Sequence, residues 1–278
     1  MKEKCRQIKA GALNFRVFDE GSGEPVLLLH GFPDNLLMWE DVANDLLSRG
    51  YRVIAFDQRG FGKTDMPKGR RHYTAQLIAG DIPLLLNALD VKTPVNIISH
   101  DWGAVIGWCA AMFHPERVKS LVVASVGHPQ SYGKAGVYQK FIKGFYTLWF
   151  QLKYIAEFYL LNGGMKRWCA SHPDYPGVIE AMSKPGRLTA AINWYRANFI
   201  SILLKSWPRC TVPTLGIWSS QDRFLTEAQM TKSARYMDAP WAYRRLDAAG
   251  HWIPYEHPKT LVNWACNWFE NKTAKQTA

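Results

Sequence analysis

The chain has 278 residues, 47% of them hydrophobic, enough to bury a sizeable core in one domain or two. No apolar run approaches the roughly 18 residues of a membrane-spanning helix, and Met1-Lys2-Glu3-Lys4-Cys5 lacks the apolar stretch of a secretory leader. The net charge of +11 comes without any recognisable nucleic-acid-reading module, so no nucleic-acid partner is expected.

In chain order, Val26-Leu27-Leu28-Leu29 is an unbroken apolar run that stops at His30-Gly31, which predicts a buried strand. The following His30-Gly31-Phe32-Pro33 reads as a tight turn in which Pro33 suits a cis peptide bond. From Asn35 to Arg49, Leu37, Trp39, Val42, Leu46 and Leu47 recur at helical spacing, and Gly50 ends the helix. Tyr51 to Phe56 is the next strand, and roughly Thr74 to Leu89 a helix. Val95 to Ile98 is a strand that runs into Ser99-His100-Asp101-Trp102-Gly103, after which Ala104 to Met112 continues as helix. Leu121 to Ala124, Thr214 to Trp218 and Tyr243 to Leu246 complete the strands. Strands alternating with helices predict a mainly parallel sheet with crossover helices.

Pro129 to Cys210 breaks this alternation. It is rich in Trp, Tyr and Phe, holds no convincing strand, and carries eleven Lys/Arg against Glu157, Asp174 and Glu180. A structureless loop of that length is implausible in a compact chain. A helical insertion over the strand ends, a lid, is the better reading, with its charge forming a basic solvated face.

Chemistry concentrates where strands end. Ser99-His100-Asp101-Trp102-Gly103 has the small–x–nucleophile–x–small form that turns a strand sharply into a helix, with Asp where esterases carry Ser. The helix N-terminus beneath it favours a carboxylate, although an Asp N-cap would account for the same residue. The N–H groups of Phe32 and Trp102 could together form an oxyanion hole, against the plainer reading of a Gly-Pro turn. Among eight histidines, His251 is the candidate base, since Ala248-Ala249-Gly250-His251 follows the last strand. His257 precedes Pro258 at a helix start and reads as a cap residue, and His30 and His100 sit within backbone turns. Asp222 follows the Thr214 strand and could orient His251. The other strand end where such an acid could lie reads Ser125-Val126-Gly127-His128, with no carboxylate.

These motifs, together with Asp57-Gln58-Arg59-Gly60-Phe61-Gly62 and Ala249-Gly250-His251-Trp252, resemble in order the epoxide hydrolases of the α/β-hydrolase fold, over nearly the whole chain. The resemblance implies an α/β-hydrolase fold: a mostly parallel central sheet with helices on both faces and a helical lid inserted after the sixth strand. It implies a core of residues 1–128 and 211–278 and a lid of residues 129–210. It further implies two lid tyrosines that hydrogen-bond the epoxide oxygen. Tyr195 in Asn193-Trp194-Tyr195-Arg196 matches one, and Tyr146, ahead of Phe150-Gln151, matches the other, with Tyr154 nearby as its competitor. Trp149 and Phe150 are expected to contact substrate. Haloalkane dehalogenases share the Asp nucleophile and the following Trp. Many, however, carry Asn where this chain has Phe32, and fluoroacetate dehalogenases carry Arg soon after the nucleophile, where Ala104 to Ile106 offers no cation. A binding protein that had lost its triad is a further alternative, against which stand Asp101, Asp222 and His251.

The implied reaction opens a lipophilic epoxide to a vicinal diol and needs no metal or organic cofactor. A small-molecule epoxide is the expected partner, and the resemblance leaves room for a homodimer. Cys5, Cys109, Cys169, Cys210 and Cys266 are odd in number and scattered, fitting neither a disulfide framework nor a zinc site, which points to a reducing, cytoplasmic setting.

Overall fold

Chain order gives strands β1 (Arg6–Ala10), β2 (Leu13–Glu20), β3 (Pro25–Leu29), β4 (Arg52–Phe56), β5 (Val95–His100), β6 (Val118–Ala124), β7 (Thr214–Ser219) and β8 (Trp241–Leu246). In the computed structural model, which describes residues 1–136 and 138–270, they form one sheet ordered β1-β2-β4-β3-β5-β6-β7-β8. From β4 to β8 every pairing is parallel, and only β1 with β2 and β2 with β4 run antiparallel.

The central strands are apolar throughout because both faces of the sheet are covered. Leu27, Leu29, Ile97, Leu121 and Val123 belong to one buried cluster, while Val26, Leu28, Ile98, Val122 and Ala124 belong to another. This is the period-2 alternation of a strand read against two layers. Full burial of each Val, Leu or Ile among them contributes roughly 1.5–3 kcal/mol. The helix Trp102–Phe113 is buried from Trp102 to Ala111 in the first layer, so it is apolar all round. Helices Glu40–Ser48 and Pro258–Glu270 bury their apolar faces in the second.

Three details differ from the sequence reading. An N-terminal hairpin, β1 and β2, forms the antiparallel edge, turning at Gly11 with φ +58°. The stretch from Asn35 to Arg49 is a 3-10 turn, Leu36–Trp39, capped by the Asn35 side chain, followed by the helix Glu40–Ser48. The predicted helix from Thr74 to Leu89 is two helices, Ala75–Ala79 and Asp81–Ala88. Pro83 explains the break, since its ring would clash with the carbonyl four residues earlier but is tolerated in a first turn.

Between β6 and β7 the chain is helical, ending in Arg187–Leu204, the longest helix of this stretch. That helix is fixed to the sheet side by polar anchors. The Trp194 indole N–H donates to the Arg59 carbonyl at 3.1 Å, and Asn198 bonds the backbones of Tyr73 and Ala75 at 2.8 and 2.7 Å. The buried Arg196 grips Glu157 at 2.6 and 2.9 Å and the Phe150 carbonyl at 2.8 Å. Residues 271–278, the end of the expected core, lie outside the described residues.

Candidate active site

The ends of β3, β5, β7 and β8 lie along one edge of the parallel sheet, and each contributes a loop to one place. Asp101 sits between β5 and the helix Trp102–Phe113 with φ +53°, a conformation costing a non-glycine residue of order 1–3 kcal/mol. Small neighbours are compulsory here. A Cβ on Gly103 would lie 2.0 Å from the Leu29 carbonyl oxygen, and one on Gly31 would lie 2.4 Å from Asp101 Oδ1. This close approach lets the Phe32 N–H donate to Asp101 Oδ1 at 2.8 Å. The Phe32–Pro33 peptide is cis.

His251 Nε2 stands 3.7 Å from Asp101 Oδ2, and its Nδ1 bonds Asp222 Oδ2 at 2.8 Å. Asp222 is itself held through Oδ1, which accepts from the Phe224 and Leu225 N–H groups at 2.8 and 3.0 Å. His257 takes no part, and closes the short helix Ile253–Glu256 as its C-cap. His30 accepts the Gln58 N–H on Nε2 at 2.9 Å, so its Nδ1 carries the proton bonded to the Gly31 carbonyl. His100 bonds the His251 carbonyl at 2.8 Å through Nε2. Burial, helped by the nearby His251, pulls His100 down to about 4, which keeps it neutral.

Burial pushes Asp101 up, but the hydrogen bond and charge of His251, with the Trp102 N–H, outweigh it and hold the carboxyl below its ordinary range. For His251 burial works downward, and the charges and hydrogen bonds of Asp222 and Asp101 overcome it, raising the imidazole to about 10. The resting pair is thus a carboxylate beside an imidazolium. The sign for stability follows: the contribution of His251 is complete below its ordinary value of 6.5 and is lost as pH rises through about 10. Between those limits the melting temperature of the native chain is expected to fall more steeply with pH than that of His251→Gln. Parallel slopes in a thermal-melt series would contradict the protonated resting state.

Tyr146, from the helix Phe145–Trp149, and Tyr195, from Arg187–Leu204, face Asp101 across two cavities. The larger, about 850 Å³ counting its open mouth, runs between Trp102, Val126, Tyr132, Phe199 and Leu203. The smaller, about 350 Å³, lies on the His251 side against Phe32, Phe150, Trp168 and Trp252. Asp101, Tyr146 and Tyr195 line both. Tyr195 is wedged by Phe150, Trp102 and Phe32, with ring centroids at 4.9, 5.0 and 5.5 Å. Burial, with Asp101 nearby, pushes both phenols well above their ordinary value, so they remain protonated donors.

Tyr154, the competitor of Tyr146, points away: it is 71% exposed, under the Lys153 ammonium. Phe150 lines the smaller cavity, but Trp149 lines neither, packing instead on Tyr159 at 4.8 Å and behind Phe150. Thr147 and Leu148, beside it in the chain, line the larger cavity. Sequence reasoning also missed Trp168 and Phe224, which flank Tyr146 at 5.0 and 5.9 Å. The position of Phe224, two residues after Asp222, was the available signal. Among the described residues no group of three or more His, Cys, Asp or Glu stands together to hold a metal ion.

Comparison with known proteins adds to this geometry. Residues 24–258 match the alpha/beta hydrolase fold family. The chain is 30% identical to the AB hydrolase superfamily protein YfhM of Bacillus subtilis (strain 168), over 97% of this chain and 99% of that one. It is 31% identical to Epoxide hydrolase 4 of Homo sapiens, over 97% of this chain and 79% of that one. Among solved structures it resembles the epoxide hydrolase VrEH1 of Vigna radiata, with a TM-score of 0.84, 25% identity, and coverage of 98% of this chain and 100% of that one.

Proposed function

The chain belongs to the epoxide hydrolases of the α/β-hydrolase fold, and from that membership we propose that it opens a lipophilic epoxide to a vicinal diol through a covalent ester on Asp101. The observation that carries the reading is the convergence of an ionised Asp101, the His251–Asp222 pair and two protonated phenols on the same largely apolar cavities.

A carboxylate needs no base to attack carbon. Asp101 displaces the ring oxygen, and the developing alkoxide takes a proton from Tyr146 or Tyr195. Esterification then removes the negative charge of Asp101, one of the groups that held the imidazole protonated. The imidazole of His251 therefore becomes less basic, its proton passes to the phenolate left by ring opening, and the neutral ring can deprotonate the water that attacks the ester carbonyl. The oxyanion so formed lies by the N–H groups of Phe32 and Trp102. The ester C–O bond breaks, the departing alkoxide takes the proton of the acid formed on Asp101, and diol leaves with the carboxylate and the His251 imidazolium restored.

In this reading residues 129–210 act as the lid, carrying both phenols over the strand ends, and residues 1–128 with 211–278 act as the core. The five cysteines are all unpaired, which supports a reducing, cytoplasmic setting. Among the described residues no helix is long and apolar enough to cross a membrane.

A single turnover by excess enzyme in heavy-oxygen water tests the scheme. The new diol oxygen is expected to be unlabelled, because it comes from Asp101. Fully labelled diol in that first turnover would mean direct attack by water and would rule out the covalent ester.

A further inference from the structure

The outer face of the lid is built unlike the rest of the surface. Phe145, Tyr154, Ile155, Phe158, Ile200 and Leu204 are each more than half exposed, from 55% at Phe145 to 81% at Leu204. They form one region. Arg196 holds the carbonyls of Phe150 and Leu152 and the carboxylate of Glu157, so that stretch lies along one flank of the Arg187–Leu204 helix. Ile200 and Leu204 follow Arg196 at steps of four residues and continue the same flank. An apolar area of this kind on a folded chain marks a surface that meets something else.

Charge identifies what it meets. Between Tyr138 and Trp168 the sole carboxylate is Glu157, and it is turned inward and neutralised by Arg196 at 2.6 Å. Lys153, Lys166 and Arg167 are exposed in the same stretch, and the exposed Lys205 follows Leu204. Apolar side chains rimmed by cations with no exposed acid among them match an anionic lipid surface, into which the former insert and to which the latter are drawn. A second copy of the chain would bring like charges together. The larger cavity adjoins this region, since it is lined by Leu148, 42% exposed, and by Ile202 and Leu203, which lie in the chain between Ile200 and Leu204.

We propose that the outer face of the lid docks on anionic lipid bilayers, and that the larger cavity draws its lipophilic epoxide from the bilayer. The identity of the cargo rests on the epoxide-opening reading, whereas the docking does not. Sedimentation of the full chain with vesicles tests it, using phosphatidylcholine alone and phosphatidylcholine with an equal part of phosphatidylserine. The chain is expected to follow the phosphatidylserine vesicles, and added salt should release it as screening shortens. The K153Q/K166Q/R167Q variant should bind them on the order of a hundredfold more weakly. An Ile155→Ser/Phe158→Ser variant should also bind weakly, and both should turn over a water-dissolved epoxide at the native rate. Failure of the native chain to bind, or undiminished binding by the charge variant, would overturn the docking. So would a dimer, seen by analytical ultracentrifugation, that the apolar variant loses. Vesicle binding without turnover of any epoxide would overturn the cargo alone.

Discussion

His251→Gln is expected to turn the protein into a stoichiometric trap that opens one epoxide and keeps it. The first half-reaction uses the carboxylate of Asp101 and the phenols, none of which the change removes. The second needs a base for water, and glutamine has none. Diol release should fall by on the order of 10⁴–10⁶-fold, the range found when a triad histidine or its equivalent is removed. Intact-protein mass spectrometry should show the mass of one substrate added. Asp222→Asn should give a milder version, since the imidazole loses its 2.8 Å partner and the charge that favours its protonated form. His257→Gln should turn over almost normally. An adduct on the His257 variant and none on the His251 variant would move the base to His257.

Removing both lid hydroxyls should cost nearly as much, at the other step. Tyr195→Phe and Tyr146→Phe each delete one donor to the developing alkoxide, and loss of such a donor commonly costs about 2.7–4 kcal/mol. Because the remaining phenol faces the same cavities, each single change should fall at or below the low end, about 100-fold or less in ring opening. The double variant should be slower by on the order of 10⁴-fold while keeping its melting transition, since the rings and their packing stay. Tyr154→Phe serves as the control and should be silent. Native rates in the double variant would remove the physical reason for an epoxide rather than a haloalkane substrate.

Legibility of the sequence followed burial. Val26 to Leu29 and Val95 to Ile98 were readable as strands because both faces are covered, leaving unbroken apolar runs that stop at small residues. The β1–β2 hairpin was not, because an edge carrying Arg6, Lys9, Arg16 and Asp19 reads as polar chain, although Phe15 and Val17 keep the alternation. The loops holding Asp101, Asp222 and His251 announce themselves through their small neighbours, and the structure brings the three together. The stretch from Pro129 to Cys210 was legible only as helical. Its pieces are short, interrupted at Gly144, Gly163 and Gly186, so spacing could not say which aromatic faces inward. That is why Trp149 was expected in contact with substrate although its indole turns toward Tyr159.

The Asp57 to Gly62 loop, which the sequence marked without assigning a task, reaches the chemistry at one remove. Asp57 ties the Leu36 and Lys63 N–H groups at 2.9 and 2.7 Å, Arg59 is clamped to Asp81, and the Arg59 carbonyl receives the Trp194 indole. Trp194 is the residue before Tyr195. The height of the Tyr195 phenol above Asp101 is therefore set from beneath, by the Arg59 loop. Such a mounting offers a way to tune the catalyst without reshaping the chamber: small changes in the loop would tilt one phenol while every wall that senses the substrate's shape stays as it was.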